Sequence, residues 1–68
     1  MMKAQTLEDG RINRTTKIAG YSVRHKYTGS GRWYSAEIHF EGQWRRLPAS
    51  IPEYVPDAVY IFLDEHEN

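Results

Sequence analysis

Three side chains that could bind a metal or move a proton recur at every second position near the middle of the chain. Glu37, His39 and Glu41 lie at i, i+2 and i+4, which on a strand places them on one face. Two carboxylates and an imidazole could hold a divalent cation or act as an acid–base pair. A protein zinc site usually gathers three or four ligands with supporting hydrogen bonds, and no neighbouring motif supplies them. We therefore interpret the set as a solvated strand face and expect no catalytic residue, no metal and no cofactor.

A glycine-rich stretch also deserves a chemical interpretation, because such loops can bind phosphate groups. Thr28-Gly29-Ser30-Gly31 lacks the G-x-x-x-x-G-K-[ST] spacing of a phosphate-binding loop. It separates two alternating runs of residues, which is typical of a hairpin loop. The chain contains no nucleophile elbow, no HExxH metalloprotease motif and no kinase motif. The sequence thus predicts that the protein is not an enzyme.

The remaining binding chemistry lies in two tryptophans and four cations. These candidate residues are Arg24, Lys26, Arg32, Trp33, Trp44 and Arg46. Aromatic rings stack on bases, while Lys and Arg neutralise phosphates, so the set predicts contact with nucleic acid by a small accessory or regulatory protein. Trp and Arg also dominate protein–protein interfaces. The alternative is therefore a protein-binding regulator, inhibitor or adaptor that uses the same residues, or a homodimer.

Strands must position these residues. Alternation of apolar and polar side chains predicts an antiparallel sheet of three strands, over about 20–27, 32–41 and 43–47. A four-residue loop at 28–31 would pair Tyr27 with Arg32 and Val23 with Ala36. It would also pair Lys26 with Trp33. A two-residue turn at 41–42 would pair His39 with Trp44 and Glu37 with Arg46. In this register both tryptophans lie with Arg24, Lys26 and Arg46 on one sheet face, away from the core, and Arg32 follows the loop beside them.

The other sheet face needs an apolar cover, and the C-terminal region supplies it. Val55, Ala58, Val59, Phe62 and Leu63 recur at helical spacing, which predicts a helix over about 56–66 and an α+β fold. The expected core contains Val23, Ala36, Ile38, Phe40, Leu47, Val59 and Phe62. Because Val59-Tyr60-Ile61-Phe62 is also strand-prone, the alternative is an all-β fold with 57–63 as a fourth strand.

Charge is divided unevenly along the 68 residues although the net charge is zero. Residues 1–46 hold all nine Lys and Arg with four acidic residues, and residues 47–68 hold five acidic residues and no Lys or Arg. These halves therefore carry +5 and −5. Such a division is typical of a polyanion-binding face with an acidic flank. It is equally compatible with two halves that attract each other.

Size and composition set the domain organisation. Residues 1–18 are polar and predict a partly flexible basic arm, and residues 19–68 form one small domain. The chain has no cysteine, which excludes disulfides and thiolate metal sites. Its longest apolar run, residues 58–63, is too short to cross a bilayer. We therefore expect a cytoplasmic protein with no membrane contact.

No motif diagnostic of a known family is present, but the arrangement of elements resembles one. Trp33-Tyr34-Ser35-Ala36-Glu37-Ile38 followed by Gly42 is similar to the second strand and turn of certain phage-integrase arm-binding domains and of plant AP2 domains. Those domains also have three antiparallel strands followed by a helix. The resemblance implies a sheet that lies in the DNA major groove, although a shared architecture does not fix a shared function.

Overall fold

Five antiparallel strands form one sheet in the order in which they occur in the sequence. The computed structural model describes residues 12–66 and the backbone of residues 3–6. The strands are β1 (Lys3–Thr6), β2 (Ile12–Ile18), β3 (Tyr21–Tyr27), β4 (Trp33–Phe40) and β5 (Gln43–Arg46). Every connection joins neighbouring antiparallel strands, so the sheet is a simple meander with β1 and β5 at its edges.

A C-terminal helix covers one side of this sheet and confirms the predicted α+β fold. A 3-10 turn over Pro52–Tyr54 leads into α1 (Val55–His66). Helical spacing brings the apolar residues of α1 onto one stripe, which packs on the sheet. The resulting core contains Val23, Ala36, Ile38, Phe40, Leu47, Val55, Ala58, Val59, Phe62 and Leu63. All seven residues predicted for the core are buried.

Two tight turns fix the register on either side of the central strands. Ala19 and Gly20 have φ of 54° and 83°, and Glu41 and Gly42 have φ of 52° and 81°. Positive φ at both central residues defines the turn type whose twist matches that of a hairpin. The turn at 41–42 is the predicted one, and the predicted pairing of β4 with β5 is confirmed.

The sheet is wider than the three strands predicted from the sequence. Residues 12–18, assigned there to the polar arm, form β2 and pair along its whole length with β3. Helix α1 packs over β3, β4 and the residues after β5, which supply the core. Because β2 contributes little to this core, its sequence can be polar. Residues 1–2 and 7–11 of the predicted arm lie outside the described residues, and its flexibility stays a prediction.

Alternation along the strands gives the sheet two different faces. The face that carries α1 is called the core face here. The opposite face is called the open face, and its described side chains are Asn13, Thr15, Lys17, Ser22, Arg24, Lys26, Ser35, Glu37, His39, Trp44 and Arg46. Four of these are Lys or Arg and one is acidic, so the open face carries a net positive charge.

Candidate functional site

Arg24, His39 and Trp44, from three neighbouring strands, form a cluster on the open face, which is called the Trp44 cluster here; the His39 and Trp44 rings are tilted by 56°. The guanidinium carbon of Arg24 lies 4.1 Å from the ring centre of Trp44, and the His39 ring centre lies 5.0 Å from that of Trp44. The first distance is that of a cation–π contact. Trp44 nevertheless keeps 36% of its surface exposed, since β5 is the edge strand. The Trp44 cluster therefore contacts the ring from two side chains and leaves part of it open to a ligand.

A carboxylate in the middle of the open face holds two of its cations. The Oε1 atom of Glu37 accepts a 2.7 Å hydrogen bond from Nη2 of Arg24 and lies 3.5 Å from Nζ of Lys26. Burial alone would raise the pKa of the Glu37 carboxyl, but the Arg24 hydrogen bonds and the charges of Lys26 and Arg24 outweigh it. The net result is a lowered pKa, so Glu37 stays ionised near neutral pH and partly neutralises the face.

Strand β2 adds residues to the open face that the sequence did not suggest. Asn13 lies opposite Lys26, and Lys26 lies opposite Ser35 on its other side. Asn13 and Ser35 are buried, with 7% and 9% of their surfaces exposed. Oδ1 of Asn13 has no hydrogen-bond partner within the part of the chain that the structure describes. The signal that could have revealed β2 was the pair of β-branched residues at Thr15 and Thr16 between Ile12 and Ile18.

Trp33 does not lie on the open face, and its predicted pairing with Lys26 is wrong. Lys26 pairs with Ser35 and Tyr27 pairs with Trp33, so Tyr34 is an extra residue that forms a bulge in β4. The bulge moves Trp33 to the core face, where it packs against the core and donates a 3.3 Å hydrogen bond to His25.

The same bulge changes the rest of the first hairpin. Val23 pairs with Ile38 rather than with Ala36, and Tyr27 does not pair with Arg32. A shift of two residues preserves the face of each side chain beyond the bulge. Val23, Ala36 and Ile38 therefore remain on the core face despite the wrong register.

Arg32 lies in the loop between β3 and β4, away from Arg24, His39 and Trp44. Its backbone carbonyl accepts a 2.7 Å hydrogen bond from the Thr28 amide, and its own amide donates to the Thr28 hydroxyl over 3.1 Å. At 3.3 Å per residue, the length of β4 separates this loop from His39 and Trp44 by roughly 20 Å. The candidate site therefore contains Arg24, Lys26, Trp44 and Arg46 of the predicted residues, but neither Trp33 nor Arg32.

Glu37, His39 and Glu41, the residues first considered for metal binding, each make different contacts. Glu37 contacts Arg24 and Lys26, His39 packs on Trp44, and Glu41 forms the turn before β5. Within residues 12–66, no three His, Asp or Glu side chains are grouped so that they could hold a metal ion.

The acidic half of the chain lies on the other side of the sheet from the open face. Helix α1 packs on the core face and carries exposed Asp57, Asp64 and Glu65. Four of the cations on the described strand side chains thus lie on the opposite side of the sheet from these carboxylates, whereas Arg14 and Arg45 are on the core face. A polyanion on the open face would meet Lys and Arg, with the carboxylates of α1 behind the sheet.

No protein-family model, curated protein or solved structure matches this chain. The architectural resemblance to integrase arm-binding domains therefore has no support from these comparisons, and the five-stranded sheet departs from it. No helix among the described residues is long and apolar enough to cross a membrane.

Proposed function

We propose that this protein is a non-catalytic, cytoplasmic accessory or regulatory module that binds nucleic acid on its open face. The observation that carries the proposal is the Arg24–Trp44 contact at 4.1 Å, on a sheet face that α1 does not cover. An exposed aromatic ring stacks on a base, and the cations beside it neutralise the adjoining phosphates. The ring is already positioned by its neighbours, so little side-chain freedom is lost on binding.

Stacking on Trp44 favours a single-stranded ligand over a duplex. A base inside a duplex is already stacked on both sides, whereas an unpaired base can leave its neighbours and lie on an aromatic ring. Lys26 on β3 and Arg46 on β5 are on the same face as Trp44. A backbone that crosses the strands would pass these cations in turn.

The experiment is a salt titration of binding to labelled single-stranded oligonucleotides, with a duplex of the same sequence as comparison. Fluorescence anisotropy should show tighter binding to the single strand and a linear fall of log affinity with log salt. Trp44→Ala should weaken binding by about 1–3 kcal/mol, the usual contribution of one stacked base. Arg46→Ala should weaken it and reduce the salt slope by about one.

A matched control is Tyr60→Ala, because Tyr60 is an aromatic residue that is 59% exposed on α1. This variant should bind like the parent protein. Binding that is absent for the parent, or equal for the parent and Trp44→Ala, would contradict the proposal.

The second candidate is a protein partner on the same face, and the Glu37 contacts favour it. Arg24 and Lys26 are partly neutralised by Glu37, which lowers the attraction for phosphates but leaves the Trp44 surface intact. Trp and Arg are the commonest hot-spot residues of protein interfaces. In this case Trp44→Ala should abolish binding of the partner, or self-association as a homodimer, and moderate salt should change it little.

A further inference from the structure

The free edge of β5 is a second surface, formed by the backbone rather than by the open-face side chains. β5 is the last strand of the sheet, and all four of its residues are exposed. An edge strand presents a row of backbone N–H and C=O groups that a further strand can bind.

The register identifies which backbone groups point outward. The two-residue turn at 41–42 makes Phe40 and Gln43 a hydrogen-bonded pair, and Leu47 donates to the Ala36 carbonyl over 2.9 Å. Hydrogen-bonded pairs alternate along an antiparallel ladder, so Gln43, Arg45 and Leu47 direct their backbone groups toward β4. The amides and carbonyls of Trp44 and Arg46 therefore point away from the sheet.

The side chains of β5 determine which strand could add there. Arg45 and Arg46 project to opposite faces, so an incoming strand meets one cation on each side. Glu37 is opposite Arg46, but its Oε1 is engaged by Arg24 and Lys26. The Arg45 guanidinium carbon is 6.0 Å from the Phe62 ring centre and the residue is exposed. Opposite charges on paired strands stabilise the pairing, and like charges oppose it.

The same charges disfavour a second copy of this chain at the edge. An antiparallel pairing that uses all the outward groups of Trp44 and Arg46 places Arg45 directly opposite Arg45 of the other copy. That position is a non-hydrogen-bonded pair, in which the side chains are closest. The β5 edge therefore disfavours pairing with a second copy of this chain and favours an acidic strand.

We propose that the β5 edge binds an acidic extended segment of a partner protein as a sixth strand. The main-chain hydrogen bonds would supply affinity, and the two arginines would supply the preference for acidic side chains. This proposal does not rest on the proposed nucleic-acid function, because the backbone groups of β5 and Arg45 on the core face carry it, although the two surfaces share Arg46.

The probe is a synthetic eight-residue peptide in which Glu-Glu pairs alternate with Val-Val pairs, so that an added strand carries glutamates on both faces, titrated into ¹⁵N-labelled protein. At saturation, hydrogen exchange of the Trp44 and Arg46 amides should slow, while the Gln43 and Arg45 amides, already bonded to β4, should change little. The same peptide N-methylated at every residue has no amide donor on either edge and should not bind. Lysine in place of glutamate should weaken binding about tenfold or more.

A charge exchange tests the selectivity. Arg45→Glu should weaken binding of the acidic peptide about fivefold to tenfold and restore binding of the lysine peptide. Because Arg45 is exposed, the variant should fold like the parent. Nucleic-acid binding should be retained in Arg45→Glu if the open face acts separately.

Three results would overturn the proposal. One is the absence of any change in Trp44 and Arg46 amide exchange at millimolar peptide. Another is equal binding of the glutamate and lysine peptides, since it would remove the arginines from recognition. The third is light scattering that shows a dimer without peptide, with the Trp44 and Arg46 amides already protected, because the occupant would then be a second copy.

Discussion

The indole Nε1 of Trp33 donates a hydrogen bond to Nδ1 of His25 over 3.3 Å, on the core face of the sheet. Since Nδ1 accepts this bond, the proton of the neutral imidazole lies on Nε2, which is 3.3 Å from the Thr16 hydroxyl and donates to it. Three strands are thus joined through one imidazole in a single tautomer. Protonation of His25 would turn Nδ1 into a donor and break the contact with Trp33.

This relationship predicts a dependence of stability on pH. Burial lowers the pKa of His25 below its ordinary value of about 6.5. In the unfolded chain His25 binds a proton near pH 6.5, whereas in the folded protein it does so only at lower pH. The free energy of unfolding should therefore be greatest above about pH 6.5 and fall as the pH decreases below it. Urea denaturation between about pH 8 and pH 5.5 measures this.

His25→Gln should show a flatter profile over that range, because glutamine does not titrate. His39→Gln is the matched control and should keep the profile of the parent, since His39 is exposed on the open face. Glu37, whose pKa is lowered, stays ionised throughout this range and does not contribute. An identical profile in His25→Gln and the parent would refute the role of His25.

The core can be tested with two isoleucines in different environments. Ile38 is fully buried, whereas Ile61 on α1 is 53% exposed. Ile38→Ala should lower the free energy of unfolding by about 2–5 kcal/mol, because it removes buried methyl groups and leaves a cavity. Ile61→Ala should change it by about 0.5 kcal/mol or less. Chemical denaturation followed by circular dichroism compares the two, and similar losses would mean that the core face is misassigned.

Glu37 gives a charge test of the open face. Glu37→Gln removes the carboxylate that holds Arg24 and Lys26, so both cations become available to phosphates. Single-stranded oligonucleotides should bind more tightly and with a steeper salt slope. The loss of partly exposed ion pairs should cost only about 0–1 kcal/mol of stability.

Glu53→Gln is the control for this test, because it removes the same charge from the exposed turn before α1. Its effect on binding should be small, since Glu53 is not on the open face. Weaker oligonucleotide binding by Glu37→Gln would show that the carboxylate itself contacts the ligand. An oligonucleotide affinity that is unchanged in Glu37→Gln would instead favour the protein-partner alternative.

Substitutions at two adjacent residues of the turn before β5 should have opposite effects on the free energy of unfolding. Glu41 has a φ of 52°, a value that Asn adopts more readily than Glu. Glu41→Asn should therefore raise the free energy of unfolding, by roughly 0.5 kcal/mol. Gly42→Ala, at a φ of 81°, should lower it by about 1 kcal/mol or more. Thermal denaturation of both variants is sufficient, and a stabilising Gly42→Ala would contradict this turn conformation.

The sequence predicted correctly those elements whose signals are local. Alternation and the Glu41-Gly42 turn gave the β4–β5 register, and helical spacing gave α1 and its buried stripe. These signals depend only on residues that are close together in the sequence. The part of the candidate site built on that hairpin, with Trp44 opposite His39 and Arg46 opposite Glu37, was predicted for the same reason.

The location of Trp33 was not predictable from the same pattern. A regular β4 would place Trp33 on the open face, whereas the extra residue Tyr34 places it on the core face. The alternation of apolar and polar residues in β4 is compatible with both. That bulge is stabilised by contacts from other strands, among them the hydrogen bond from Trp33 to His25. Similarly, β2 has few apolar residues of its own, so its local signal, Thr15 and Thr16 between two isoleucines, is weak, and pairing with β3 holds the strand in the sheet.

The sequence by itself therefore determined the fold class, the core residues, the C-terminal hairpin and the opposite charges of the two halves. Only the tertiary structure decided that Trp44 stands without Trp33 on the open face, and that Glu37 shares its carboxylate between Arg24 and Lys26. It also placed the exposed carboxylates of α1 on the opposite side of the sheet from the open face. The reason is physical: alternation and helical spacing report which side chains avoid water, whereas a bulge and a side-chain contact depend on residues distant in sequence.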